Sequence, residues 1–87
     1  MKSSDTILVT VQSPDAVVWQ GQALLISSAN SEGDFDIMPD HARFMTLISG
    51  TPLVVNEVDG SNRSFTFDNA VLFFQDNNAK IYVHTVT

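Results

Sequence analysis

At 87 residues the chain reads as one small domain, 1–87, which buries roughly 60–65% of the surface its unfolded form exposes. Cysteine is absent, which excludes disulfides, thiolate metal sites and cysteine nucleophiles together, so a core drawn from 44% apolar residues has to hold the fold unaided. Ten acidic residues against four basic ones give a formal net charge of −6, which disfavours nucleic acid and anionic lipid and suits a partner with a basic surface.

The opening Met1-Lys2-Ser3-Ser4-Asp5 has neither an apolar signal core nor the arginines of a transit peptide, and so predicts a cytoplasmic start. No apolar run approaches the ~20 residues that cross a bilayer, so no direct lipid insertion is expected. Thr6 to Gln12 alternates, with Ile7, Val9 and Val11 on one face. Ser13-Pro14-Asp15 predicts a turn, because proline presets the backbone and aspartate bonds locally. Val17-Val18-Trp19 reads as a short second strand ended by Gly21, and Ala23 to Ser28 as a third. Ser28 to Gly33 reads as a polar loop. Glu32 to Phe44 is a dense acidic loop with a short extended stretch, Phe35 to Met38, inside it.

Phe44 to Ile48 fits a strand or a helical turn; five residues are too few for periodicity to decide. Asp59-Gly60 between Leu53–Val58 and Arg63–Asp68 predicts a hairpin, since glycine accepts the positive φ that such turns need. Asp76-Asn77-Asn78-Ala79 predicts a second hairpin, between Val71–Gln75 and Lys80–Val86. In that last strand Ile81, Val83 and Thr85 point one way, and Tyr82, His84 and Val86 the other. Short apolar blocks broken every eight to twelve residues indicate an all-β chain. The expected architecture is a two-sheet β-sandwich of about eight to ten short strands.

Asp34, Asp36 and Asp40 lie near Glu32 and His41, but their spacing does not fit a calcium loop, and no metal site is expected. His41 and His84 lack a motif-bearing serine or another nucleophile, so no catalytic residue is assigned. His41 reads as a structural pin or an interface residue. Gly21, Gly33, Gly50 and Gly60 are isolated, so no phosphate loop exists and no cofactor is predicted. Trp19 suits a core or an interface equally. Phe65, Phe67, Phe73 and Phe74 are expected between the sheets, although consecutive Phe73 and Phe74 face opposite ways. The pairs Leu24-Leu25 and Val54-Val55 repeat that pattern, and strands apolar on both faces predict an interaction surface.

The dense loop also resembles a family segment. Glu32-Gly33, Ile37, Pro39, His41-Ala42 and Phe44 match the loop of the N-terminal β-sandwich of epsilon subunits of F-type ATP synthases. The opening strand, Ser13-Pro14-Asp15, Val18-Trp19-Gln20-Gly21, the stretch Phe44 to Gly50 and the two hairpins follow the same order. The family usually has glycine where Asp36 stands here, often glycine where Asp40 stands, and proline where Arg43 stands. The family's serine-glycine-glycine appears as Asp68-Asn69-Ala70. Asp36, Asp40 and Asn69 are tolerable substitutes, because Asp and Asn enter left-handed conformations more readily than most residues.

The resemblance implies a non-catalytic rotor component of the central stalk, linking the gamma subunit to the c-ring and coupling proton translocation to ATP synthesis. It places Ser13 and His41 toward gamma, and Glu32 and Asp34 toward the c-ring. It also implies a peripheral position on the cytoplasmic face of the bacterial inner membrane. The family continues as an α-helical hairpin, so ending at Thr87 leads us to expect a short member without hairpin-based inhibition or nucleotide binding. The alternative is a free-standing β-sandwich module for a small ligand or sugar, which one tryptophan and one tyrosine equip poorly.

Overall fold

Alternation sets the fold, because eight segments each turn one apolar row inward. The computed structural model describes residues 6–83. Its strands are β1 (Ile7–Gln12), β2 (Val17–Asn30), β3 (Gly33–Ile37), β4 (Phe44–Ile48), β5 (Pro52–Glu57), β6 (Asn62–Thr66), β7 (Ala70–Gln75) and β8 (Asn78–Val83). They form one curled sheet in the order β4-β7-β8-β1-β2-β5-β6, with β3 also on β2. Every pairing is antiparallel except β1 with β8. The expected sandwich-like all-β architecture is therefore present, in eight strands.

β2 converts one sheet into two layers. Its first half pairs with β1, from Ala23 opposite Ile7 to Val17 opposite Gln12. Its second half pairs with β5 on one edge, and with β3 on the edge that β1 has left. A register irregularity between Ala23 and Leu25 marks the crossing. A bulge adds a residue and bends its strand. Here it resets the alternation, so that Ala23 and Ile26 are both buried while Leu24 is exposed. Ile7, Val9, Ile26, Ile37, Ile48, Leu53, Leu72, Phe74 and Ile81 fill the space between the layers with no exposure at all. Burying each such side chain contributes roughly 1.5–3 kcal/mol.

Two sequence expectations change. The second and third strands are one strand of fourteen residues, and Gly21 does not end it. The indole of Trp19 lies over Gly21, and a Cβ there would meet its ring at 2.5 Å. Glycine thus makes room for an aromatic rather than for a turn. Trp19 is half-buried against the core, 5.6 Å from Phe65, with the Arg63 guanidinium 4.9 Å from its ring centre. Second, the extended stretch expected at Phe35 to Met38 inside the dense loop starts two residues earlier and ends one residue earlier. Gly33–Ile37 pairs along β2, which leaves only the Ser31-Glu32 turn and residues 38–43 unpaired. Phe44–Ile48 resolves as a strand. Phe67 and Phe74 are buried as expected, whereas Phe73 lies half-exposed on the outer side. His84, Thr85 and Val86 lie outside the described residues.

The turns form as their residues dictate. Ser13 Oγ accepts the N–H groups of Asp15 and Ala16, at 3.3 and 3.2 Å. Gly60 takes φ +93° in the β5–β6 turn. Asp76 and Asn77 take φ +53° and +60°, which makes β7–β8 a two-residue hairpin of the primed kind. Asp40 also adopts positive φ, at +68°, so its substitution for glycine is tolerated as expected. Asp36 and Asn69 do not, and at those two positions glycine's freedom is unused. The β3–β4 loop is latched to the β7–β8 turn. The Asp40 N–H donates to Asn77 Oδ1 at 2.6 Å, and Asn77 Nδ2 donates to Asp40 Oδ1 at 3.0 Å.

Three measurements check this account. Gly21→Ala should displace the single tryptophan, red-shift its fluorescence and lower unfolding stability by about 1–3 kcal/mol in a denaturant titration. Asn77→Gly keeps the left-handed turn but deletes the latch, so the Asp40 amide should exchange roughly five- to tenfold faster by NMR. In the β5–β6 turn, the Ser61 hydroxyl and N–H hold the Asp59 carboxyl below the ordinary 3.8, with a smaller contribution from Arg63. A lowered folded value stabilises fully above the unfolded pKa, and that benefit is lost as pH falls through the folded one. An NMR titration should find Asp59 below 3.8, with Ser61→Ala moving it back up.

Candidate functional site: an apolar face and an acidic hairpin

The layer formed by β4, β7, β8, β1 and the first half of β2 has an unusual outer surface. Along β4 the outward residues are Met45 and Leu47, which at 68% and 69% are the two most exposed large hydrophobic side chains described. The register continues each of them across the layer. Met45 faces Phe73, which faces Lys80; Leu47 faces Val71, which faces Tyr82. Beyond β8, Lys80 neighbours Thr10, and Tyr82 neighbours Gln12. The surface thus grades from apolar at β4 to uncharged polar at β1, where Gln20 Nε2 donates to Thr10 Oγ1 at 3.0 Å.

β4 is also an edge strand, and its sequence Phe-Met-Thr-Leu-Ile contains no charge and no proline. The other edges are protected. β3 carries Asp34 and Asp36, and β6 carries Arg63. Charged side chains on an edge discourage unwanted strand pairing, so among the described strands β4 is the one edge left open to association.

The second surface is the β2–β3 hairpin. Asn30 Oδ1 accepts the Glu32 N–H at 2.8 Å, which shapes the tip and leaves the Glu32 carboxylate in solvent. Asp34 and Asp36 project from one side of β3, because alternation sends Phe35 and Ile37 inward. Asp36 accepts the Ser27 hydroxyl at 2.6 Å. The tip is braced against β4, where Asn30 Nδ2 donates to Thr46 Oγ1 at 2.9 Å.

The four predicted contact residues fall into two groups. Glu32 and Asp34 come together at the hairpin tip, exposed. Ser13 and His41 are not in contact. Ser13 follows Gln12 and so borders the Tyr82 end of the apolar face. His41 sits at the opposite end, exposed, with its ring edge-on to Phe44 and Phe74 at 5.8 and 5.9 Å. Its Nδ1 donates to the Ala42 carbonyl at 2.8 Å, so the ring is pinned by its own loop. Among the described residues no group of three or more His, Asp or Glu side chains is arranged to hold a metal ion.

Sequence reasoning missed Met45, Leu47 and Lys80. The signal for the first two was present, since Phe44-Met45-Thr46-Leu47-Ile48 is apolar in both phases of an alternating strand. Leaving that segment undecided between strand and turn concealed it.

Residues 6–87 match the family described as ATP synthase, Delta/Epsilon chain, beta-sandwich domain. The chain is similar to the ATP synthase epsilon chain of Streptomyces coelicolor, 26% identical over 69 residues, which covers 79% of this chain and 56% of that one. It is 23% identical to the epsilon chain of Campylobacter fetus subsp. fetus over 79 residues, covering 91% and 61%. Of solved structures, one from the Euglena gracilis mitochondrial ATP synthase (OSCP/F1/c-ring) superposes with a TM-score of 0.88 at 15% identity, over all of this chain and 56% of that chain. One from the Tetrahymena thermophila mitochondrial ATP synthase central stalk and c-ring gives 0.73 at 18%, over all of this chain and 69% of that one. The chain spans little more than half the length of the epsilon chains it matches. It belongs to the ATP synthase delta/epsilon chain β-sandwich family.

Proposed function

We propose that this chain is a central-stalk component of an F-type ATP synthase, seated between the gamma subunit and the c-ring and coupling proton translocation to ATP synthesis. The single observation that carries this reading is the pair of unlike surfaces on a family β-sandwich. The apolar outer face of β4, β7 and β8 suits a stable protein partner. Ser13 and His41 at its two borders are the contacts assigned to gamma. The acidic β2–β3 hairpin suits a polar or basic loop, and Glu32 and Asp34 are the contacts assigned to the c-ring.

On this reading the domain performs no chemistry. It is a rigid clamp that transmits torque, and it sits peripherally at the cytoplasmic face of the membrane that holds the ring. Rigidity is supported by the shared strand β2 and by the latch between Asp40 and Asn77. A sugar-binding role finds less support. Trp19 is committed to Phe65 and Arg63, and the groove that Tyr82 shares with the half-exposed Phe73 is shallow.

Co-expression with the gamma subunit of the same genome, followed by size-exclusion chromatography, tests the proposal. A one-to-one complex that persists at high salt is expected, because apolar contacts are not screened. A folded chain that elutes alone at both low and high salt would contradict it.

A further inference from the structure

We infer that the partner covering the apolar face supplies a carboxylate opposite Lys80. This deepens the stalk reading and rests on it, with gamma as the partner.

The observation is one of charge placement. The chain has ten acidic residues and four basic ones. Yet among the described residues of this layer's five strands, Lys80 is the single charged side chain that alternation turns outward. Lys80 is not at the margin. It stands between Phe73 on β7 and Thr10 on β1, in the row that begins with Met45. A shallow groove of about 420 Å³ runs past it, lined by Phe73, Tyr82, Asn78, Gln75 and Asp76. Asp76 belongs to the β7–β8 turn, and among the described residues Lys80 takes part in no ion pair.

Free in water, this ammonium is hydrated and satisfied. Covered by a partner, it loses that water. An ammonium buried without a counter-charge carries a large desolvation penalty. Asp76, at the turn end of the groove, forms no ion pair with Lys80, and among the described residues no strand of the layer turns a carboxylate outward, so the partner has to supply one. Such a pair also fixes orientation. A lone cation in an apolar field gives the docking surface one polar register mark, and a partner turned out of register leaves two charges unpaired. Leu47 and Met45 are the most exposed large apolar side chains described on this face, so truncating them should damage the contact most.

The test uses the gamma subunit of the same genome and measures Kd by calorimetry for the wild type, Lys80→Met, Lys80→Glu and Leu47→Asp. Both positions, Lys80 and Leu47, are exposed, and thermal melts establish that each of the three variants is folded. Lys80→Met keeps the aliphatic stem and removes only the charge. It should weaken binding by about thirtyfold or more, because it strands a desolvated carboxylate on gamma, and Lys80→Glu should weaken it further. One Asp or Glu→Lys substitution on gamma should restore the affinity of Lys80→Glu. Lys80→Met binding as well as or better than the wild type would overturn the carboxylate while leaving the stalk reading intact. Leu47→Asp binding like the wild type would overturn the face itself. A wild-type chain that does not bind gamma would overturn both readings.

Discussion

The rest of the structure depends on the double membership of β2. Its fourteen residues are hydrogen-bonded to β1 at one end and to β3 and β5 at the other, and the irregularity after Ala23 turns it from one layer into the next. Without that crossing, neither layer has a second apolar surface to close against. A sheet alone exposes half its apolar rows to water, whereas two layers on one strand bury both inner faces. The residues that make the crossing possible are modest ones. Gly21 admits the indole of Trp19, and the extra residue near Leu24 resets which side chains face inward.

A strand shared in this way also divides the outside. One layer presents Met45, Leu47, Val71, Phe73 and Tyr82 around a single lysine. The other presents Glu32, Asp34 and Asp36 at a braced tip. Antiparallel sheets normally solvate their outer face, and the acidic side obeys that habit. The apolar side does not, and its outermost strand, β4, carries none of the charges that keep edges apart. Two unlike surfaces on one rigid domain are what a connector between two different partners requires. The latch from Asp40 to Asn77 holds the loop bearing His41 against the end of the apolar face, so the border of that face is fixed together with the strands.

Much of this was legible in the residues, for reasons that differ by segment. The β5–β6 and β7–β8 turns were readable because Asp59-Gly60 and Asp76-Asn77 supply backbone conformations that few other pairs accept. The inward rows of β1, β7 and β8 followed from alternation. β2 reads as two strands because an isolated glycine looks like punctuation, and only the indole over Gly21 reveals its other use. β3 reads as extended only from Phe35, because Gly33 and Asp34 ahead of it are poor strand formers, and pairing with β2 overrides that preference. The four candidate contacts came from the family loop rather than from periodicity. Their grouping needed topology: Ser13 and His41 border one face from opposite ends, which residue spacing alone could not convey. Lys80 was invisible in the sequence, since its meaning lies in the carboxylates that are missing from strands distant along the chain.

The most direct measurement is hydrogen–deuterium exchange on the chain alone and in complex with the gamma subunit. The account predicts that added protection concentrates in Phe44–Ile48, the open edge strand beside the apolar face, and spares the amides of Gly33–Ile37. Protection confined to β3 and the Glu32 tip, with β4 exchanging as it does in the free chain, would contradict it.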